Sequence, residues 1–322
     1  MFYSIRHVTR FRYSGPVRES VMELRMQPRS EGPQALRSFQ ISTNPRAQLC
    51  AYTDYLGNAV YHFNVLREHE ELRIEAQAVV EILSIPAAPP ATDTLEWGRY
   101  NSYNLTDEQF DLLEPSTYAR LSPQLLDFMR EQNLVKPIGD PLSALRLLNT
   151  TVRDAFQYTP GITDASSPIE IALRERRGVC QDFAHITIAI ARHWGIPARY
   201  VSGYLHHRER TQDRSSADAT HAWLEAYLPS LGWIGFDPTN DILAGERHIR
   251  AAVGRDYDDV PPTRGTFKGG ASSELAISVV VEPTQAPVRH EDFLRVARPM
   301  GTPRAASSLP DHIFHQQQQQ QQ

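Results

Sequence analysis

Cysteine, histidine and aspartate can together supply a nucleophile, a base and a carboxylate that orients the base, and this chain carries the three in suggestive settings. Arg176-Arg177-Gly178-Val179-Cys180-Gln181-Asp182-Phe183-Ala184 places a glycine just ahead of a cysteine that opens an apolar run. That run (Phe183, Ala184, Ile186, Ile188, Ala189, Ile190, Ala191) leads to Trp194-Gly195, where Gly195 and Pro197 form a helix-stop signal. It is apolar nearly all round, as a buried helix is. A thiol in the first turn of such a helix meets unsatisfied backbone N–H groups and the positive end of the macrodipole. Both favour the thiolate, and the same amides can donate to a tetrahedral oxyanion. Gly178 is expected to let the chain turn sharply before Cys180.

Downstream, strand alternation puts His221, Trp223, Glu225 and Tyr227 on one face, and Ala222, Leu224, Ala226 and Leu228 on the other. The next strand, from Gly232, puts Trp233, Gly235 and Asp237 on one face, and Pro238 stops it. If the two strands pair, His221 and Asp237 face each other and meet the Cys180 helix. Cys180 is then the nucleophile, His221 the base and acid, and Asp237 the group that holds the histidine tautomer. The remaining candidates take plainer readings. Cys50 reads as a small buried hydrophobe in a strand, and His206-His207 as solvated residues among Arg208, Glu209 and Arg210. His185 and His193 read as structural hydrogen-bonders. Two cysteines so far apart suggest neither a disulfide framework nor a zinc site, and no metal or cofactor is expected.

The elements that must position these residues fall into two groups. Up to residue 85, segments around Tyr3–Tyr13, Val17–Met26, Ala35–Ser42, Gln48–Tyr52, Ala59–Leu66 and Leu72–Ile82 alternate like strands of an antiparallel sandwich or meander. The Pro-rich stretch at residues 85–91 reads as a linker. Helices are expected over Ser122–Gln132, Pro141–Ala155 and Ser167–Arg176, then strands over Arg199–Leu205, His221–Leu228 and Gly232–Phe236. The chain from about Arg250 to Gly270 reads as an ordered loop, and Leu275–Glu282 as a strand without an assignable partner. The division that follows is an N-terminal β domain (1–85), a linker region (86–120), a catalytic domain (121–285) and an irregular tail (286–322). That tail ends in the glutamine run Gln316–Gln322, expected to be disordered.

A chain of 322 residues with net charge −5 has no basic excess, so no nucleic-acid partner is expected. No apolar run approaches the ~18 residues of a membrane span, and charges sit where the core of a signal peptide would be, so no membrane partner and a cytoplasmic location are expected.

Four blocks in order, Gly178-Val179-Cys180-Gln181-Asp182-Phe183, Pro197 to Tyr204, His221-Ala222-Trp223 and Asp237-Pro238-Thr239, resemble the transglutaminase-like core of bacterial proteins. The opening Tyr3 to Tyr13 resembles the β domain that precedes this core in one bacterial branch. The resemblance implies an α+β, papain-like fold with the nucleophile helix against an antiparallel sheet. It implies thiolate attack on an amide carbonyl, an acyl-thioester, and resolution by water, the expected outcome, or by an amine, with a non-catalytic interaction module as the further alternative. It also implies oxyanion donation by the Cys180 N–H and by a group in Phe156-Gln157-Tyr158. The substrate would be a peptide, a protein or a small amide. The loop Val253 to Pro262 looks typical of this branch, bordering the cleft or forming a solvated acidic turn. No calcium loop of EF-hand spacing is present in the sequence.

Overall fold

The computed structural model describes residues 1–83, 105–137, 140–208, 213–229 and 231–286. In chain order the first elements are β1 (Phe2–Leu24), β2 (Gln34–Asn44), β3 (Cys50–Thr53), β4 (Ala59–Val65) and β5 (His69–Ile82). Short α1 (Asp107–Asp111), α2 (Pro123–Glu131), α3 (Pro141–Ala155), β6 (Gln157–Tyr158), α4 (Ile169–Glu175) and β7 (Arg177–Gly178) lead to the long helix α5 (Cys180–His193). Then come β8 (Ala198–Leu205), β9 (His221–Leu228), β10 (Gly232–Asp237), β11 (Ile242–Leu243), β12 (His248–Gly254), β13 (Thr263–Lys268) and β14 (Ser273–Thr284). The Pro-rich stretch 85–91 and the expected tail beyond residue 286 lie outside the described residues.

Local chemistry explains the helices. Asp140 caps α3, its carboxylate accepting from the Leu142 and Ser143 N–H groups, with Pro141 at the first helical position. Ser122 caps α2 in the same way, through the Leu125 N–H. Helix α5 ends in a Schellman motif: the Ile196 N–H donates to Ala191 and the Gly195 N–H to Arg192, with Gly195 at φ +81°.

Five strands in the order β11-β10-β9-β8-β12 form the sheet on which α5 lies. Ala222, Leu224, Ala226 and Leu228 face Phe183, Ile186 and Ile190 in one core with α2, α3 and α4. Each of these large aliphatic side chains contributes about 1.5–3 kcal/mol by leaving water. The N-terminal sheet runs β2-β5-β1-β4-β3, and β13 and β14 also pair with β1. Strand β1 changes partners along its length. Phe2 to Tyr13 lie between β5 and β14, whereas Arg18 to Leu24 pair with β4 and β13. The change occurs at register shifts near Val17 and Ser20, with Glu19 at φ 48°, which bends the sheet around its own core of Tyr13, Val17, Met22, Leu24, Phe63 and Leu72.

This arrangement corrects three expectations. The chain from Arg250 to Gly270 is mostly strand, because β12 extends the core sheet and β13 joins the N-terminal one. Leu275–Glu282 finds its partner in the first strand of the chain, with Ile277 opposite Thr9 and Val281 opposite Ile5. The division between residues 1–85 and 121–285 therefore cuts across a sheet, and the described residues up to 286 lie in one compact unit. The linker span 86–120 also contains ordered structure: α1 lies in it, and the Leu112 carbonyl accepts from the Ala198 N–H at the head of β8.

The N-terminal region is fastened to the free edge of β12 by two amide side chains. Gln34 accepts from the Arg250 N–H and donates to the Arg250 carbonyl, both at 2.8 Å. Asn58 does the same with Val253, again at 2.8 Å. Each amide imitates one rung of a strand, so the buried edge of β12 keeps its backbone groups paired without a neighbouring strand.

Candidate active site

Cys180 is the first residue of α5 and is half-buried. The first bond of the helix ladder runs from the Phe183 N–H to the Val179 carbonyl, so the N–H groups of Cys180 and Gln181 precede the ladder. Asp182, fully buried, fixes the turn into the helix: its Oδ2 accepts from the Val179 N–H at 2.8 Å and from the Thr163 hydroxyl at 2.6 Å. Burial pushes the Asp182 carboxyl up, and those two hydrogen bonds act against the shift. Gly178 is required for closeness rather than for a left-handed turn. A Cβ there would lie 2.7 Å from Asp182 Oδ2, and Gly178 sits in the extended pair β6–β7.

Strand β9 brings His221 to the same place. Strands β9 and β10 pair, with Phe236 opposite Leu224, which carries Asp237 toward the start of β9. His221 Nε2 lies 2.8 Å from Asp237 Oδ2, with both side chains essentially excluded from water. The other ring nitrogen, Nδ1, is buried, and besides Asp237 the Cys180 side chain is the group that acts on this ring. Burial alone disfavours the charged ring, but the Asp237 carboxylate and then Cys180 outweigh it, so the His221 pKa is pushed up to about 10. The ring is an imidazolium at neutral pH. Asp237 is held well below the usual carboxylate range against the cost of burial, by His221 first and His248 next.

Further groups hold that carboxylate. Its Oδ1 accepts from the Thr239 N–H at 3.0 Å and the Asn240 N–H at 3.2 Å, and its Oδ2 from Asn240 Nδ2 at 2.8 Å. His248 Nε2 lies 3.1 Å from the same Oδ2. Sequence reasoning missed His248, because it belongs to the stretch next to the one read as loop. His221, Asp237 and His248 have the donor types of a metal site, with the three ligand atoms within 4.8 Å of one another. The Gly245 N–H donates to His248 Nδ1 at 3.2 Å, however. The Nε2 of a neutral His248 therefore carries the proton and donates to Asp237, and it has no lone pair to offer an ion.

The other predicted residues fall as follows. Cys50 is exposed on β3, not a buried hydrophobe. An edge strand with all four residues exposed offered it no core to enter. His185 is the structural hydrogen-bonder expected, accepting from the Tyr257 N–H at 3.1 Å, and burial drives its pKa down to about 3. His193 is exposed. His206 and His207 are less solvated than their charged neighbours suggested, since His206 Nδ1 meets the Val281 carbonyl and His207 lies 3.3 Å from Asp213. The loop from Val253 to Pro262 is a clamp: Asp256, 2% exposed, accepts from the Tyr118 N–H at 2.8 Å and the Asp258 N–H at 2.9 Å. Tyr158 sits where Cys180 acts on it. Burial and the Cys180 charge push its hydroxyl up to about 12, and the backbone of Ser216 acts against the shift.

Comparison with known proteins agrees with this architecture. Residues 129–238 match the transglutaminase-like superfamily core, and residues 3–81 match the bacterial transglutaminase-like N-terminal region. An uncharacterized protein of Mycobacterium leprae is 34% identical over 280 residues, covering 87% of this chain and 97% of that one. A protein of Pseudomonas aeruginosa named protein-glutamine gamma-glutamyltransferase is 33% identical over 134 residues, 38% of this chain and 20% of that one. Among solved structures, a Cytophaga hutchinsonii chain provisionally described as a cysteine protease superposes with a TM-score of 0.67 at 20% identity, covering 89% of this chain and 92% of that one. By sequence along nearly its whole length and by fold, the chain belongs to the transglutaminase-like superfamily, with the bacterial N-terminal region ahead of the core.

Proposed function

We propose that the chain hydrolyses a peptide or amide bond through an acyl-thioester on Cys180. The observation that carries this reading is the alignment of Cys180, the His221 ring and Asp237, with the His221 Nε2–Asp237 Oδ2 contact at 2.8 Å. The Cys180 thiolate attacks the carbonyl carbon, and the C–N bond breaks as His221 delivers its proton to the leaving amine. Water then adds to the thioester, giving a proton to His221, and the thiolate leaves with the acid released. The Cys180 N–H donates to the oxyanion in both steps, and the Gln157–Tyr158 segment supplies the second donor, with the Tyr158 hydroxyl the group in it that stands near Cys180. Peptides, protein side chains and small amides are the substrate class, and the cytoplasm is the proposed location. Within the described residues no helix is long and apolar enough to cross a membrane.

The second reading is acyl transfer from a glutamine side chain to an amine. It is favoured by the name of the Pseudomonas relative, which is similar over 134 residues. Incubating the protein with an N-blocked glutaminyl-glycine peptide, with and without hydroxylamine, separates the two. Ammonia release in water alone, lost in Cys180→Ala, supports hydrolysis. Ammonia release only with hydroxylamine, together with hydroxamate formation, supports transfer. If neither this peptide nor a panel of peptides and amides gives turnover or an acyl adduct on Cys180, the catalytic reading is wrong.

A further inference from the structure

We propose that His248 is a positioning residue for this chemistry, donating from Nε2 to the Asp237 oxygen that also holds His221 and so moderating how strongly that carboxylate stabilises the His221 imidazolium. The inference rests on the proposed roles of Cys180, His221 and Asp237.

Three donors converge on Asp237 Oδ2: His221 Nε2 at 2.8 Å, Asn240 Nδ2 at 2.8 Å and His248 Nε2 at 3.1 Å. The Gly245 N–H occupies His248 Nδ1, which fixes the tautomer with its proton toward Asp237. The ring is buried and stands edge-on to Trp223, with centroids 5.1 Å apart and planes at 73°. Burial lowers the His248 pKa against the pull of Asp237, so the ring donates as a neutral imidazole. It comes from β12, at the far side of β8 from β9 and β10. Gly203 on β8, opposite His221, leaves room for the rings: a Cβ there would lie 2.6 Å from Trp223 and 2.2 Å from the Ile249 carbonyl. The charged and titratable groups acting here are Cys180, Asp237, His248 and His207 around His221, with His221 and Arg247 acting on His248.

A hydrogen bond given to a carboxylate spreads its charge. Asp237 therefore stabilises the His221 imidazolium, through its Nε2–H, less than an otherwise unpartnered carboxylate would, and the proton on Nδ1 moves more readily to a leaving amine. Removing the His248 donor concentrates the charge on His221 and frees the carboxylate to rotate.

The test is ¹⁵N-histidine NMR of the full chain, following the His221 titration, alongside the pH profile of Cys180 alkylation by iodoacetamide. His248→Gln keeps a donor at the Nε2 position. His248→Asn keeps an acceptor for the Gly245 N–H but loses that donor, and His248→Phe keeps only the ring packing on Trp223. The expected result is that Asn and Phe raise the His221 titration by about half a pH unit or more, whereas Gln stays near the parent value. Folded Asn and Phe variants that titrate His221 as the parent does would overturn the proposal. So would a Gln variant shifted as far as Asn. If parent Cys180 reacts no faster than a free thiol while the Asn and Phe variants still shift His221, the proposed function fails and the His248–Asp237–His221 coupling is supported.

Discussion

The five-stranded sheet is held by different chemistry on its two faces. Toward α5 it presents Ala222, Leu224, Ala226 and Leu228, which meet an apolar helix. On the other face Glu225, Arg199, Arg250 and His248 stand beside a small apolar cluster of Trp223, Val201, Val253 and Leu56, with His221 and Asp237 at its end, and its charged groups are paired. Arg199, 3% exposed, lies 2.7 Å from Glu225 and 3.2 Å from Glu31, and its guanidinium stacks 4.3 Å above the Trp233 ring. Arg250 reaches Glu225 from β12 at 3.2 Å. The apolar face tolerates small shifts because dispersion and burial are non-directional. The polar face fixes geometry, since a buried charge that loses its partner costs far more than a repacked methyl group. Directional chemistry at His221 and Asp237 thus sits at the edge of the rigid, polar face, while the nucleophile is delivered by the helix on the other.

The largest break of this comparison is Asp237→Asn. It preserves shape but removes the carboxylate that orients and charges His221, and turnover is expected to fall by about 10³–10⁴-fold, more than the accompanying lowering of the melting transition as buried donors lose a charged partner would explain. Steady-state rates and circular dichroism on the same preparation check this.

The next compares the faces directly. Arg199→Met leaves Glu225 with Arg250 and Glu31 with Arg29 as their remaining cationic partners, and is expected to cost about 3 kcal/mol, with the loss of function exceeding the loss of fold as strands β8, β9 and β12 shift. Ile186→Val on the helix face removes one methylene and is expected to cost about 0.5–1.5 kcal/mol with activity retained. Urea unfolding of both variants measures the difference, and equal costs would erase the contrast between the faces.

The smallest effects concern pH. His7, between the N-terminal sheet and Tyr204 of β8, has its pKa lowered by burial to about 4, and His185 is lowered to about 3. For both, the unfolded chain binds more protons below about pH 6.5. Their contribution is therefore complete above that value and is lost as pH falls toward the folded values, by at most about 3 kcal/mol for His7. The raised pKa of His221 acts in the opposite sense: its contribution is complete below about 6.5 and is lost as pH rises through about 10. Stability measured between pH 4 and 10 is expected to decline at both ends, with the acid limb starting near 6.5 and shrinking in His7→Phe.

Much of the site was legible because its signals are local. The glycine before Cys180, the apolar run to Gly195, and two alternating strands each declare themselves within a dozen residues, and the face assignment of β9 held. The elements that escaped depend on distant partners. Strand β14 pairs with the first strand of the chain, and no local pattern states that register. His248 acquires meaning only when β12 pairs with β8, and Gln34 and Asn58 only when a free strand edge arrives beside them. The same cause misled the reading of Cys50, whose strand-like neighbours do not reveal that β3 lies at the sheet edge.

Competitive labelling of the two cysteines tests the central claim most directly. Cys50 is exposed and Cys180 half-buried, so accessibility alone favours Cys50. With limiting iodoacetamide at neutral pH, followed by peptide mapping, Cys180 is expected to label first and faster than a free thiol, with that advantage lost in His221→Ala. Preferential labelling of Cys50, with Cys180 no faster than a free thiol and indifferent to His221, would contradict the account.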